Sequence, residues 1–182
     1  MRVLGIVGSP HKDGNTAMLV KTVLEGAHEN GHETFLFNLI DFKIEPLSSA
    51  EGKKVSYPED DMVRLYPYIE TMGALVLGTP IYYDNVSDRT KIFIDRLHYY
   101  SKTHGEEYRS RFPDNVKAAT IITYEWENSE GYDEVLKWLN QTLEGYWRMR
   151  IVGSLKADST TKKPVKERKD LLEKARQLGR SL

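Results

Sequence analysis

Residues 3–16 decide the fold: Val3-Leu4-Gly5-Ile6-Val7 runs into Gly8-Ser9-Pro10-His11-Lys12-Asp13-Gly14-Asn15-Thr16. The apolar run reads as a buried strand, the small and hydroxylic residues after it as a loop, and the pattern that follows as a helix. A strand that ends in such a loop and restarts as a helix leaves backbone N–H groups unpaired at the positive end of a helix dipole. That is an anion site, best suited to phosphate. Ser9, Asn15 and Thr16 add side-chain donors, and Gly14 permits a positive φ or a close backbone approach. His11 or Lys12 adds positive potential at the rim. A nest of amides holds phosphate without a lysine beneath it, and the stretch matches neither G-x-x-x-x-G-K-[S/T] nor G-x-G-x-x-G. The plainer alternative is a strand-to-helix turn capped by Asn15 or Thr16.

Working outward, strands and amphipathic helices alternate. Val20, Val23, Leu24 and Ala27 form a helical stripe closed by Asn30-Gly31, and Thr34–Phe37 is the second strand. Residues 38–59 lack periodicity and carry Pro46, Ser48, Ser49, Gly52 and Pro58, so they read as a long connection: a lid, a partner surface or a lost site. Asp60 and Asp61 open a helix with Leu65, Ile69 and Met72 on one face. Ala74–Leu77 is a continuous apolar run, as a central parallel strand requires. The next helix packs through Phe93, Leu97 and Tyr100. Residues 118–123 are the fourth strand, Val135, Leu136, Leu139 and Leu143 mark a helix, and 149–155 is the fifth strand. A final helix carries Leu171, Leu172, Ala175 and Leu178. The pattern predicts an α/β three-layer sandwich over a five-stranded parallel sheet with right-handed crossovers, residues 1–182 forming one domain. Strand order 2-1-3-4-5 is favoured because it gathers the loops after strands one, three and four at one edge of the sheet, where a doubly wound fold binds its ligand.

Composition narrows the chemistry. Of 182 residues, 40% are hydrophobic and 29% charged, which describes an ordinary globular chain with a sizeable core. A net charge of -1 gives no reason to expect a nucleic acid or an anionic membrane as partner. With no cysteine, disulfides, thiolate metal sites, iron–sulfur clusters and cysteine nucleophiles are excluded. Neither a signal peptide nor a membrane span is evident, so the expected location is the cytoplasm. The histidines His28, His32, His98 and His104 show no zinc spacing, and no metal site is expected. The basic run Lys162, Lys163, Lys166, Arg168 and Lys169 reads as a solvated surface, with contact to a phosphate-bearing donor as its other reading.

Two further loops qualify as site walls. Gly78-Thr79-Pro80-Ile81-Tyr82-Tyr83-Asp84-Asn85-Val86-Ser87 combines a stiffened backbone with two aromatic rings, and Asn85 and Ser87 are placed to turn and cap the next helix. Such a wall suits a flat aromatic ligand; otherwise one tyrosine is core and the other surface. Tyr124 and Trp126 in the loop 124–131 offer stacking surfaces, while Glu125, Glu127 and Glu130 read as facing solvent.

Taken together, Gly8-Ser9-Pro10, Gly14-Asn15-Thr16, Gly78–Tyr83, Val86-Ser87, Lys91 and Phe93–Leu97 resemble the flavodoxin-like NAD(P)H-dependent flavin mononucleotide (FMN) reductases, near their iron–sulfur flavoprotein branch. The resemblance covers most of residues 1–155. It implies a flavodoxin-like fold with Ser9, His11, Asn15 and Thr16 around the FMN phosphate. It places Pro80, Ile81, Tyr82, Tyr83 and Asn85 around the isoalloxazine and ribityl groups, and the loop of Tyr124 and Trp126 near the pyrimidine side. It implies hydride transfer from NAD(P)H to bound flavin, then electron transfer to a quinone, free flavin or other small-molecule acceptor. The flavin carries this chemistry, so no catalytic side chain is expected. A homodimer or higher homo-oligomer is expected too, with Tyr99, Tyr100, Tyr108, Tyr132, Trp138, Tyr146 and Trp147 as candidate contact surface. The branch's cluster cysteines are replaced between Pro46 and Asp60 by serines, alanine and charged residues, so flavin is expected without a cluster. Two alternatives stay open: an electron-transfer flavodoxin, and a non-catalytic interaction protein with a vestigial flavin site.

Overall fold

The computed structural model describes residues 1–49, 55–101 and 111–182. Residues 50–54 of the long connection, His104 and Tyr108 lie outside the described residues. The elements are β1 (Arg2–Val7), α1 (Asn15–Glu29), β2 (Glu33–Asn38), β3 (Ser48–Ser49), β4 (Val55–Ser56), α2 (Tyr66–Ile69), β5 (Ala74–Tyr82), β6 (Asn85–Val86), α3 (Asp88–Arg96), β7 (Lys117–Thr123), α4 (Asp133–Trp147), β8 (Arg150–Ala157) and α5 (Lys169–Arg180).

The sheet runs β2-β1-β5-β7-β8 with every neighbouring pair parallel, and β6 folds back antiparallel on β5. The expected order 2-1-3-4-5 is therefore the observed one. Alternation along β1 shows why the chain makes three layers. Leu4 and Ile6 pack with Phe93, Ile94, Leu139 and Leu143 on one face, while Val3 and Val7 pack with Val20, Val23, Leu171 and Ala175 on the other. Thus α1 and α5 cover one side of the sheet and α2, α3 and α4 the other. Helix α1 ends where Asn30-Gly31 predicted: Gly31 takes φ +80°, and the N–H groups of Gly31 and His32 bond back to His28 and Ala27.

Four stretches differ from the sequence expectation. The helix expected to run through Tyr100 ends at Arg96 and continues as a 3-10 turn over Leu97–Tyr100. The strand starting at Ala74 does not stop at Leu77 but continues to Tyr82, because Gly78, Thr79 and Pro80 lie opposite Ile121, Ile122 and Thr123 of β7. The helix expected from Asp60 is a 3-10 turn over Asp61–Arg64 followed by the four-residue α2, which has Pro67 in its first turn. The long connection also carries structure, as β3 and β4 pair antiparallel.

That connection is riveted by Arg96. Its side chain is fully buried at the end of α3 and forms a two-pronged ion pair with Asp60. It also donates to the carbonyls of Glu45 at 2.9 Å and Pro58 at 3.0 Å. Asp60 in turn accepts from the backbone N–H groups of Met62 and Glu45. Burial pushes the Asp60 carboxyl up, but Arg96 and the two N–H groups outweigh it and hold it below its ordinary value.

Candidate functional site

The strand order brings the loops after β1, β5 and β7 to one edge of the sheet, with the switch in direction between β1 and β5. The first loop is locked to the second at its base. Gly8 N–H donates to the carbonyl of Gly78 at 2.8 Å, and Ser87 Oγ donates to the carbonyl of Gly8 at 2.8 Å. Ser87 also caps α3 by accepting from Thr90 N–H, and its N–H donates to Thr79 Oγ1 at 3.1 Å. Only glycine fits at position 8, since a Cβ there would lie 1.7 Å from Thr90 Oγ1.

Beyond Gly8, buried Ser9 accepts from His11 N–H at 3.1 Å, and Gly14 N–H donates to the carbonyl of His11 at 3.2 Å. The residue before α1 is Gly14, in extended backbone. Among the described residues no side chain caps the backbone N–H groups of α1's first turn, and that turn holds no acidic residue. The helix therefore offers its backbone N–H groups and positive dipole end at the switch point of the sheet.

The expected side-chain donors are placed differently from one another. Ser9 and His11 lie on the loop itself, with His11 exposed. Thr16 is buried, its hydroxyl 2.7 Å from that of Thr123. Asn15 turns its carboxamide toward residues 160–165, accepting from Val165 N–H at 2.8 Å. Neither Asn15 nor Thr16 caps the helix. Lys12 is ion-paired with Asp41.

In the second loop, Tyr82 pairs with Asn85 across a two-residue turn whose central residues, Tyr83 and Asp84, take φ +48° and +59°. Two positive φ values identify a hairpin turn of the kind usually made by Asn-Gly. Pro80 is buried and Ile81 half-buried, whereas Tyr82 is 45% exposed and Tyr83 fully exposed at the tip. Asn85 is exposed, its Oδ1 accepting from Val86 N–H.

In the third loop, Tyr124 is buried and donates to the carbonyl of Asn128 at 2.9 Å. Burial, followed by the charges of Asp158 and Asp133, pushes its hydroxyl up to about 12, so it stays protonated near neutral pH. Tyr132 packs edge-on against Tyr124 at 5.0 Å and Trp126 at 5.6 Å, leaving Trp126 54% exposed. Glu125 is exposed yet bonded to Thr160 and to Thr161 N–H, and Glu127 pairs with Lys162. Both glutamates face solvent as the sequence suggests, but nothing in the sequence signals their partners in the 160–162 segment.

Other candidates lie apart. His98 shares a 2.8 Å hydrogen bond with Tyr57. Among the described residues no group of three or more His, Asp or Glu is arranged to hold a metal ion. A hollow of about 560 Å³ between α3 and α4 is lined by Ile94, His98, Trp138 and Tyr146 rather than by the three loops. Of the aromatic residues considered for self-association, Tyr100 and Trp147 are core, while Trp138 and Tyr146 are 37% and 52% exposed.

Comparison with known proteins gives the family and the fold. A family profile described as NADPH-dependent FMN reductase matches residues 1–154. An iron–sulfur flavoprotein of Methanocaldococcus jannaschii is 34% identical over 101 residues, covering 53% of this chain and 51% of that protein. One from Archaeoglobus fulgidus is 28% identical over 158 residues, covering 84% of this chain and 66% of that protein. The chain thus spans about half to two thirds of the length of these relatives. Among solved structures, an NAD(P)H:quinone oxidoreductase from Methanothermobacter marburgensis superposes with a TM-score of 0.74 at 19% identity, covering 100% of this chain and 96% of that one. At that identity the likeness establishes the shared fold.

Proposed function

The chain belongs to the NADPH-dependent FMN reductase family, and on that premise we propose that it binds FMN and works as an NAD(P)H-dependent flavin or quinone reductase. The observation that carries the reading is the uncapped N-terminus of α1 at the sheet's switch point. Ser9, His11, Gly14 and the backbone N–H groups of Asn15 and Thr16 would hold the phosphate. Pro80, Ile81, Tyr82, Tyr83 and Asn85 would line the ring and ribityl chain, with Tyr124 and Trp126 closing the pyrimidine side. When bound, FMN would supply hydride acceptance from NAD(P)H and electron delivery to a small acceptor.

The chain's own contribution is positional. Phosphate anchoring fixes the ligand from a distance, and the hydroxyl network of Thr79, Ser87 and Thr90 keeps the first two loops in register. Exposed Tyr82 and Trp126 would offer flat apolar area that excludes water from one side of the ring. Buried Tyr124 holds its proton and so serves as a wall rather than a base. Without cysteine the chain has no thiolates for the cluster named in its relatives, and the reading is of flavin alone.

The same reading includes one domain, a cytoplasmic location and self-association through the α3–α4 surface bearing Trp138 and Tyr146. No described helix is long and apolar enough to cross a membrane. Titration with FMN and with riboflavin, followed by flavin fluorescence, tests the assignment. FMN should bind at least about tenfold more tightly, the discrimination expected when a site built for a phosphate meets a ligand lacking one. Equal affinities, or no binding, would remove the phosphate site and the function built on it.

A further inference from the structure

The family profile ends at residue 154, yet the segment after β8 is built into the site. Residues 158–168 hold Ser159 at 2%, Thr160 at 6% and Val165 at 0% exposure, and Ser159 takes φ +49° to turn the chain inward. The segment closes on itself: Lys163 N–H donates to the carbonyl of Ser159 at 2.8 Å, and Arg168 donates to the carbonyl of Lys163 at 2.9 Å and to Asp158 at 3.1 Å.

Its two outer contacts reach different loops. On one side, the Asn15 carboxamide accepts from Val165 N–H at 2.8 Å and reaches the carbonyl of Thr160 at 3.4 Å. On the other, Glu125 accepts from Thr161 N–H at 2.8 Å and from the Thr160 hydroxyl, while Thr160 N–H donates to the carbonyl of Tyr124 at 3.2 Å. Lys162 adds an ion pair with Glu127. Thr160 is therefore held from the first loop and the third loop together. Both ends of the Asn15 carboxamide are engaged by backbone groups that would otherwise be left unpaired in a half-buried position.

We propose that residues 158–168 form a strap coupling the phosphate loop to the third loop, with Asn15 and Glu125 as positioning residues at its two ends. The Asn15 carboxamide serves the strap, which leaves only its backbone N–H to meet a phosphate. The consequence for ligand binding rests on the FMN reading above; the strap itself does not. Loosening it at either end would displace the wall carrying Tyr124 and Trp126, so that ligands with and without a phosphate lose affinity together.

The test uses Asn15→Ala, Glu125→Ala and the double variant of the full chain. Amide hydrogen exchange in flavin-free protein reads the strap directly. Each single variant should speed exchange across 158–168 several-fold to about tenfold, the loss of one hydrogen-bonding partner, and the double variant should fall short of the product of the two. In parallel, FMN and riboflavin affinities should fall by a common factor of about three to ten in each variant. An Asn15→Ala protein that loses FMN affinity alone, with riboflavin binding and strap exchange unchanged, would make Asn15 a phosphate ligand and overturn the proposal. So would effects of the two substitutions that simply multiply. If the unaltered protein binds neither flavin, the functional reading fails, and the exchange measurement still decides the strap.

Discussion

The hydroxyl oxygens of Thr16 and Thr123 lie 2.7 Å apart, joining the first turn of α1 to the last residue of β7. Both residues are nearly inaccessible, at 2% and 4% exposure. A motif residue that sequence logic assigns to a phosphate thus also ties the anion loop to the start of the third loop. Removing one partner would strand the other hydroxyl in a buried place. Thr16→Val should cost about 1–3 kcal/mol by urea unfolding, and Thr16→Val combined with Thr123→Val should recover most of the loss. A double variant as unstable as the sum of the singles would show that the two hydroxyls do not act as a pair.

Gly8 has no room for a side chain. The Cβ of an alanine would fall 1.7 Å from Thr90 Oγ1 and 3.0 Å from Ser87 Oγ. Gly8→Ala should destabilise the protein by about 1–3 kcal/mol through overpacking and should weaken FMN binding, because the first two loops lose their register. Thermal unfolding with parallel FMN titration checks both effects. Unchanged stability would mean that the hydroxyl cluster shifts freely.

The Asp60–Arg96 pair sets an acid limit on the long connection. Asp60 is held below its ordinary value of 3.8, so the unfolded chain takes up its proton first as pH falls. Stability from the pair is fully present above that value and is lost as pH drops through the lower folded value. Asp60→Asn should cost about 3–5 kcal/mol near neutral pH by leaving the Arg96 charge uncompensated, and it should flatten the acid limb of the stability profile. Urea unfolding across the acid range gives both numbers, and parallel acid limbs for the two proteins would exclude Asp60 as the titrating group.

Tyr83 stands in the left-handed region with its ring wholly in solvent. Non-glycine residues held there carry strain of about 1–3 kcal/mol that nothing in its packing offsets, and such strain gathers at functional turns. Tyr83→Asn suits the turn better and should raise stability by up to about 1 kcal/mol. If the exposed ring meets the flavin or its substrates, the same change should weaken flavin binding or raise the KM for NAD(P)H or acceptor. A stabilised variant with unaltered binding and kinetics would assign the ring no part in the site.

Much of the architecture is legible because the central strands are buried on both faces. Residues 3–7, 74–77 and 118–123 read as unbroken apolar or small-residue runs, and placing their loops together gives the observed strand order. Gly78, Thr79 and Pro80 read as strand breakers, yet they continue β5 because β7 lies beside them in register. No local pattern encodes that pairing. The buried Arg96 had a usable signal: a charged residue three positions after Phe93, on the helix face that packs into the core. The strap had almost none. Val165 and Thr161 contribute backbone N–H groups and Thr160 contributes its carbonyl as well as its hydroxyl, and backbone groups carry no residue identity. The clustering of three loops at one sheet edge was legible in the sequence; that the Asn15 and Thr16 side chains turn to intramolecular partners was not.

Whether the protein reduces its flavin with a pyridine nucleotide is decided by anaerobic stopped-flow absorbance of the FMN-loaded protein mixed with NADPH and, separately, with NADH. The oxidised flavin's visible absorbance should fall rapidly with at least one nucleotide, saturate as nucleotide rises, and recover when a quinone is then added. FMN that is held by the protein but reduced by either nucleotide no faster than free FMN in buffer would contradict the reductase assignment.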